Sequence, residues 1–150
     1  MTISSATQRE WFINHVKSLM SAITDEVIEA DADGDFPVHG DTTQAWVRPE
    51  THEPWGAHVF ALAAHGVPLR AAVLKEINEI NSRNAFVRVA WHSPGSVMVD
   101  YRLLADAVTE ENLAAVIGRV MAVADQIGPL LAAVHGGSTP LAVESSASDA

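Results

Sequence analysis

The stretch Leu69-Arg-Ala-Ala-Val-Leu-Lys-Glu-Ile-Asn-Glu-Ile-Asn81 decides the fold, because it predicts one amphipathic helix between two sets of strands. The residues that share one helical face, at spacings of three and four, are Leu69, Ala72, Val73, Glu76, Ile77 and Ile80. Pro68 is compatible with the first turn. The region from Asn81 to Asn84 predicts the end of the helix, since Asn tolerates the left-handed geometry of a cap. Strand-like sequence on both sides predicts one antiparallel sheet against which this helix packs.

The segments around this helix predict the rest of a two-layer α+β domain. A first helix is predicted to start at Thr7 and to end near Ala22, and a last helix to start at Thr109. The strand segments are Glu26–Ala30 with its return Phe36–His39, then Thr43–Arg48, Trp55–Ala64, Ala85–Trp91 and Val97–Leu103. Gly128-Pro129 is predicted to kink or interrupt the last helix. The predicted order is helix, three strands, helix, two strands, helix, with one antiparallel sheet.

The composition predicts a single globular domain and excludes several classes of partner. The chain has 150 residues and 48% hydrophobic content. We assign residues 1–137 to the domain and expect a disordered tail from Ser138 to Ala150, which is rich in Ser, Ala and Asp. The 19 acidic residues against 9 basic ones give a net charge of −10, which argues against nucleic acid and anionic membranes as partners. Cysteine is absent, and neither a signal peptide nor a membrane span is apparent, so we expect a cytoplasmic protein.

Metal and cofactor chemistry is not supported by the motifs. The turn Asp31-Ala-Asp-Gly-Asp35 differs from a calcium loop, which needs Gly at its sixth position and a bidentate acid at its twelfth. We interpret it as a solvated acidic turn, with weak cation binding as the alternative. His52 and His58 do not match the zinc-protease motif, because six residues separate them and Pro54 breaks any helix. The seven His are scattered, and we predict no metal site and no cofactor.

Nucleophilic catalysis is equally unsupported. The sequence contains no Gly-x-Ser-x-Gly elbow and no Cys. Ser93 and Ser96 flank Pro94-Gly95, which is typical of a turn. We therefore predict no catalytic residues.

Polar residues on the central helix and on the strands have structural interpretations. Asn81 is predicted to cap the helix, and Asn78 to hydrogen-bond a neighbouring loop. The charged strand residues are Arg48, Arg88, Asp100 and Arg102. We expect them to pair across the sheet on a solvated face, with a polar ligand-docking face as the alternative.

The aromatic residues on strands have two interpretations. Trp46, Trp55, Trp91 and Phe86 are favoured as core residues. A two-layer domain, however, leaves one sheet face without its own helices, and an exposed aromatic patch there would mark an interaction surface. Both interpretations stay open at this point.

Several short segments resemble the secretion-chaperone-like fold of type III secretion chaperones of the CesT kind and of YbjN-domain proteins. The segments are Asp31–Phe36, Trp46-Val-Arg48, Gly66-Val67, Glu76–Asn81, Leu113–Asp125 and His135-Gly-Gly137. Together they extend over roughly residues 8 to 137. The resemblance implies a non-enzymatic, protein-binding domain that often dimerises and holds partner segments in extended form.

The favoured hypothesis is a non-enzymatic chaperone-like adaptor that binds a protein or peptide segment on its sheet and helix surface and forms a homodimer. The predicted partner-binding residues are Trp46, Arg48, Trp55, Phe60, Trp91 and Tyr101. The acidic surface would favour basic partner segments. Two alternatives are a metal-assisted hydrolase that uses the scattered His and Asp, and a small-molecule sensor with a pocket between sheet and helices.

Overall fold

The computed structural model describes residues 4–141 as three α-helices, one short 3₁₀ helix and one five-stranded antiparallel sheet. The elements are α1 Ser5–Thr24, β1 Phe36–His39, β2 Gln44–Glu50, β3 Gly56–Ala64, α2 Ala71–Arg83, β4 Arg88–His92, β5 Ser96–Leu104, the 3₁₀ helix Ala105–Ala107 and α3 Glu110–His135. The strands lie in the order β1-β2-β3-β5-β4, and all neighbours are antiparallel. The predicted α+β architecture, with its order of helix, three strands, helix, two strands and helix, is confirmed.

The segment between α1 and β1 differs from the prediction. Helix α1 starts after Ser4, whose Oγ accepts a hydrogen bond from the Thr7 backbone N–H at 3.2 Å, and ends at Asp25 in a left-handed conformation with φ of 56°. The strand predicted over Glu26–Ala30 is wrong, since these residues form an irregular connection. Most of their surface faces solvent, and Val27 is 86% exposed. With no face to bury, the segment lacks the packing that stabilises a strand.

Helix α2 has the predicted apolar face and ends within the predicted region from Asn81 to Asn84, but it starts later than predicted. Val73, Ile77 and Ile80 are buried, as the periodicity predicted. The helix starts at Ala71, after Arg70 in an extended conformation, so the predicted start at Pro68 and Leu69 is wrong. Leu69 is 58% exposed, because it precedes the helix and does not share the buried face. Asn84, not Asn81, is the C-terminal cap, and its N–H donates to the Ile80 carbonyl.

Helix α3 is continuous through Pro129, so the predicted interruption there is wrong. Ile127, Gly128 and Leu131 are buried on either side of the proline, and this packing compensates for the backbone hydrogen bond that proline cannot make. A Cβ atom at Gly128 would lie 2.2 Å from the Ala63 carbonyl oxygen, so only glycine permits this approach to β3. By length and composition α3 is apolar enough to cross a membrane, but 44% of that window is buried inside this fold.

The two faces of the sheet differ in composition. The face that packs against the helices is apolar and includes the fully buried residues Val59, Ala61, Ala63, Val97 and Val99. Their sequence neighbours on β3 and β5 point to the opposite side, because successive side chains of a strand alternate. We call that opposite side the outer face; its members are Trp46, Arg48, Glu50, His58, Phe60, Arg88, Asp100 and Arg102.

The chain after α3 returns to the end of the sheet. Ser138 exchanges two backbone hydrogen bonds of 2.9 Å with His65, and the Leu141 N–H donates to the Thr42 carbonyl. Residues 138–141 of the predicted tail therefore contact the domain. The rest of that tail, residues 142–150, lies outside the described residues.

Candidate functional site

An aromatic stack with an arginine beside it lies on the outer face. Trp46 and Phe60 are direct cross-strand partners on β2 and β3, and their ring centroids are 5.5 Å apart with nearly parallel planes. The Arg48 guanidinium lies 5.0 Å from the centre of the Phe60 ring. Both aromatic side chains are half-buried by their neighbours on the face. Such a rigid, partly exposed surface with a cation beside it favours contact with a polypeptide.

Arg48 is held in place by the acidic turn. Its Nε and Nη2 donate to the two carboxylate oxygens of Asp35 at 2.7 and 2.8 Å. The hydrogen bonds that Arg48 donates to the Asp35 carboxylate raise the pKa of Arg48, so the guanidinium stays charged. Asp31 Oδ1 accepts the backbone N–H groups of Asp33 and Asp35, which fixes the turn. The turn therefore supports an outer-face residue.

A charged network lies beside this stack on the outer face. Arg88 donates two hydrogen bonds to Asp100 at 2.9 and 2.7 Å, and His58 Nε2 donates a third at 2.8 Å. Glu50 pairs with Arg102 and lies 3.4 Å from His58 Nδ1. Burial by itself would raise the pKa of the Asp100 carboxyl, but the hydrogen bonds and charges of His58 and Arg88 lower this pKa well below its ordinary value.

The expected pairing of charged strand residues is confirmed for Arg88 and Asp100, which pair across β4 and β5, whereas Arg48 and Arg102 pair with acids outside that predicted set. The pairs are Arg88 with Asp100, Arg102 with Glu50, and Arg48 with Asp35. The sequence analysis missed His58 and Glu50 as members of the network. His58 lies directly opposite Arg102, but this register is a property of the folded sheet, so no pattern in the sequence identified His58.

The other predicted partner-binding residues lie apart from this cluster. Trp55 packs edge-on against Phe12 of α1, on the helix side. Trp91 donates its indole N–H to the Val67 carbonyl at 2.9 Å. Tyr101 stacks on Phe86 with 4.7 Å between ring centroids. The structure thus brings together Trp46, Arg48 and Phe60, and places the other three at separate positions.

The β4 edge of the sheet is closed by a side chain. Asn81 of α2 donates through Nδ2 to the Val89 carbonyl at 2.9 Å and accepts the Val89 N–H at 2.8 Å. The predicted capping role of Asn81 is therefore wrong. Its amide instead takes the place of a neighbouring strand at Val89, because it offers the same donor and acceptor as a peptide group.

The β1 edge is built differently. The Gly40 N–H donates to the Thr43 carbonyl, so these two residues form a hydrogen-bonded pair. From there, the opposite residues of β1 and β2 alternate between non-hydrogen-bonded and hydrogen-bonded pairs. Pro37 and His39 then fall at non-bonded pairs, and their backbone groups face away from β2. Proline at such a position removes no ladder hydrogen bond. The Pro37 carbonyl and the His39 N–H and carbonyl are consequently directed toward the open edge.

The geometry of the described residues offers little for catalysis. Within residues 4–141, Asp31, Asp33 and Asp35 are the one group of at least three potential metal ligands whose ligand atoms lie within 4.8 Å of one another. Both oxygens of Asp35 already accept from Arg48. His58 and Asp100 form a hydrogen-bonded pair, but the groups around them in this part of the chain are Arg88 and Glu50, not a nucleophile.

Comparison with known families decides the identity of this fold. Residues 10–143 match the family described as T3SS (YopN, CesT) and YbjN peptide-binding chaperone 1, or TY-Chap1. The chain belongs to this family. The predicted resemblance is thereby confirmed, and the family is one of chaperones. No curated protein sequence matches this chain.

Solved structures show the same fold at low sequence identity. A chain in the crystal structure of the ExsC–ExsE complex is similar with a TM-score of 0.65 and 14% identity, covering 79% of this chain and 95% of that one. The Yersinia pestis type III secretion chaperone SycH, in complex with a stable fragment of YscM2, gives a TM-score of 0.56 and 19% identity. That match covers 73% of this chain and 97% of the other.

Proposed function

We propose that this TY-Chap1 protein is a non-enzymatic chaperone that holds an extended segment of a partner protein along its β1 edge and on its outer face. The observation that carries the proposal is the Trp46–Phe60 stack, with Arg48 beside it, next to a strand edge whose backbone groups face outward. Family membership and the chaperone complexes among the similar structures support a polypeptide ligand.

The register indicates how such a segment would bind. An added strand would hydrogen-bond to the Pro37 carbonyl and to the backbone groups of His39. Alternate side chains of that strand would then lie on the outer face, beside Pro37 and its cross-strand partner Trp46. Backbone hydrogen bonds to β1 would supply affinity for partner segments of any sequence. The Trp46–Phe60 stack would favour those segments that place apolar side chains on the outer face.

The edge at β4 is a poor site for the same segment. Asn81 already occupies the N–H and the carbonyl of Val89, so an incoming strand would have to displace two hydrogen bonds. The two edges therefore differ in availability, and this difference favours binding at β1.

A selected peptide tests the proposal. We would select short peptides from a random displayed library and measure their affinity by fluorescence anisotropy. We expect Trp46→Ala and Phe60→Ala each to weaken binding about tenfold, as loss of a central aromatic contact does. Val27→Ala, at an exposed apolar residue of the connection between α1 and β1 and outside the aromatic stack, serves as the control and should leave the affinity unchanged.

Hydrogen exchange gives the second readout. The His39 amide should exchange more slowly in the complex than in the free protein, since it would enter a strand ladder. A library that yields no binder contradicts the proposal. The proposal is also contradicted if the selected peptides bind both aromatic variants as tightly as the wild type and leave the exchange rate of the His39 amide unchanged.

We also propose that the protein is a cytoplasmic homodimer that uses the exposed apolar side chains of α2 and α3. Leu74, Leu130 and Val134 are all largely exposed, and Leu130 borders the same cavity as Glu76 and Ile80 of α2. His135 of α3 also pairs with Glu76, which holds the two helices together. Light scattering at micromolar concentration that gives the chain mass of 16.0 kDa would contradict dimerisation.

A further inference from the structure

An apolar groove lies on the helix side, away from the outer face. It has a volume of about 550 Å³ and lies between the first half of α1, the loop before β3 and the 3₁₀ helix. Its apolar lining consists of Trp11, Phe12, Trp55 and Ala105. Trp11 is 65% exposed, which is unusual for the largest apolar side chain.

Both tryptophans are held in position before anything binds. The Trp11 ring stacks on His15 at 5.2 Å, and His15 Nε2 hydrogen-bonds the Val108 carbonyl at 3.2 Å. Trp55 packs on the buried Phe12 ring, and its carbonyl accepts the Ala105 N–H at 2.8 Å. Rigid aromatic walls lose little conformational entropy on binding, which is a property of sites that anchor a partner side chain.

The charge of the groove narrows the identity of the occupant. Glu53 is the one charged residue in its lining. Glu53 takes part in none of the ion pairs formed within residues 4–141. The homodimer proposed above uses α2 and α3, so this groove beside α1 is left to a different occupant. An apolar floor with an available carboxylate at its rim is complementary to an apolar side chain next to a cation.

We propose that this groove binds a leucine- or phenylalanine-bearing segment of the partner protein that carries Lys or Arg beside the apolar residue. The inference rests on the proposed function, because it assigns a second contact point to the same polypeptide ligand. The partner's apolar side chain lies between Trp11 and Trp55, and its basic side chain pairs with Glu53.

Synthetic peptides provide the probe. One peptide alternates Leu with Lys, a second alternates Leu with Glu, and a third replaces Leu by Ser and keeps Lys. We expect the Leu-Lys peptide alone to bind and to shift the indole N–H resonances of Trp11 and Trp55. Added salt should weaken its binding, because the contact with Glu53 is exposed.

Variants then assign the contacts. Trp11→Ala should weaken binding of the Leu-Lys peptide about tenfold or more, and Glu53→Gln several-fold with a reduced salt dependence. Ile13→Ala, a partly exposed position on the same helix outside the groove lining, is the matched control and should change nothing. Since Trp11 and Glu53 are exposed, thermal unfolding should confirm that all three variants fold.

The outcomes separate this inference from the proposed function. The inference is overturned if the Leu-Glu peptide binds equally well, or if Trp11→Ala has no effect. A decrease in sedimenting mass caused by Trp11→Ala would instead assign the groove to a second copy and would also overturn it. Trp46→Ala tests the outer face independently, so library-selected peptides that depend on Trp46 but not on Trp11 would leave the proposed function intact.

Discussion

The two faces of the sheet are made by the same strands, yet they are stabilised in different ways. On the helix side, Val59, Val97 and Val99 are fully buried against α3 and its neighbours, and the hydrophobic effect dominates. On the outer face, Asp100 is buried beside Arg88 and His58, and Phe60 is half-buried beside Trp46, so ion pairs and ring contacts add to the stabilisation. The comparison shows that burial of apolar side chains on the helix side dominates the stability of the fold. The outer face contributes less to stability and keeps partly exposed side chains that are accessible to a partner.

The largest expected effect is on the helix side. Leu131→Ala removes a side chain of α3 with 0% exposure and should lower the free energy of unfolding by about 2–5 kcal/mol. Leu69, which precedes α2 and lies outside the proposed dimer surface, is 58% exposed, so Leu69→Ala should change the free energy of unfolding by less than about 0.5 kcal/mol. Urea denaturation of both variants measures the difference. Equal losses would show that the helix side is not the dominant source of stability.

A smaller effect is expected at the centre of the outer face. Asp100→Asn removes the charge that Arg88 and His58 contact, and should cost about 1–2 kcal/mol at neutral pH, since Arg88 is largely solvated. The folded pKa of Asp100 is depressed, so its contribution is complete above the unfolded pKa of about 4 and is lost as the pH falls below that value.

Urea denaturation of wild type and Asp100→Asn across acidic and neutral pH tests this prediction. The stability gap between them should be constant at neutral pH and should shrink on acidification below pH of about 4. A gap that grew in acid would show that the carboxylate is not stabilised by its partners.

The smallest effect is expected at the rim of the outer face. Arg48→Lys keeps the positive charge but loses the bidentate contact with Asp35 and the planar contact with Phe60. Because Arg48 is exposed, the free energy of unfolding should fall by only about 0.5–1 kcal/mol. Chemical denaturation measures the loss, and Arg9→Lys, at an exposed position of α1, is the control. A loss as large as that of Leu131→Ala would remove the distinction between the two faces.

The elements with strong periodicity were predicted well from the sequence. The face of α2 with Val73, Ile77 and Ile80 and the hairpin of β4 and β5 follow from helical and two-residue spacing, which local backbone geometry fixes. The segment over Glu26–Ala30 was mispredicted because a strand exists only with a partner, and partner availability is not a local property. An interruption of the last helix at Pro129 was mispredicted for a related reason, since tertiary packing outweighs the local free-energy cost of a proline inside a helix.

The candidate site was predicted only in part. Trp46 and Arg48 were selected as residues on one strand, but their contact with Phe60 depends on the register between β2 and β3. Trp11 falls within the predicted first helix, but only the structure places it exposed beside Trp55. Asn81 was assigned to the helix end, because its partner Val89 becomes a neighbour only after the chain turns.

The sequence by itself determined the α+β class, the order of the elements, the acidic charge and the family to which the chain belongs. These properties depend on residue type and local spacing, which the chain carries before it folds. Only the tertiary structure decided which strand edge stays open, which charges pair and where two tryptophans form a groove. Those features require residues distant in sequence to meet, and their positions follow from strand register and helix packing.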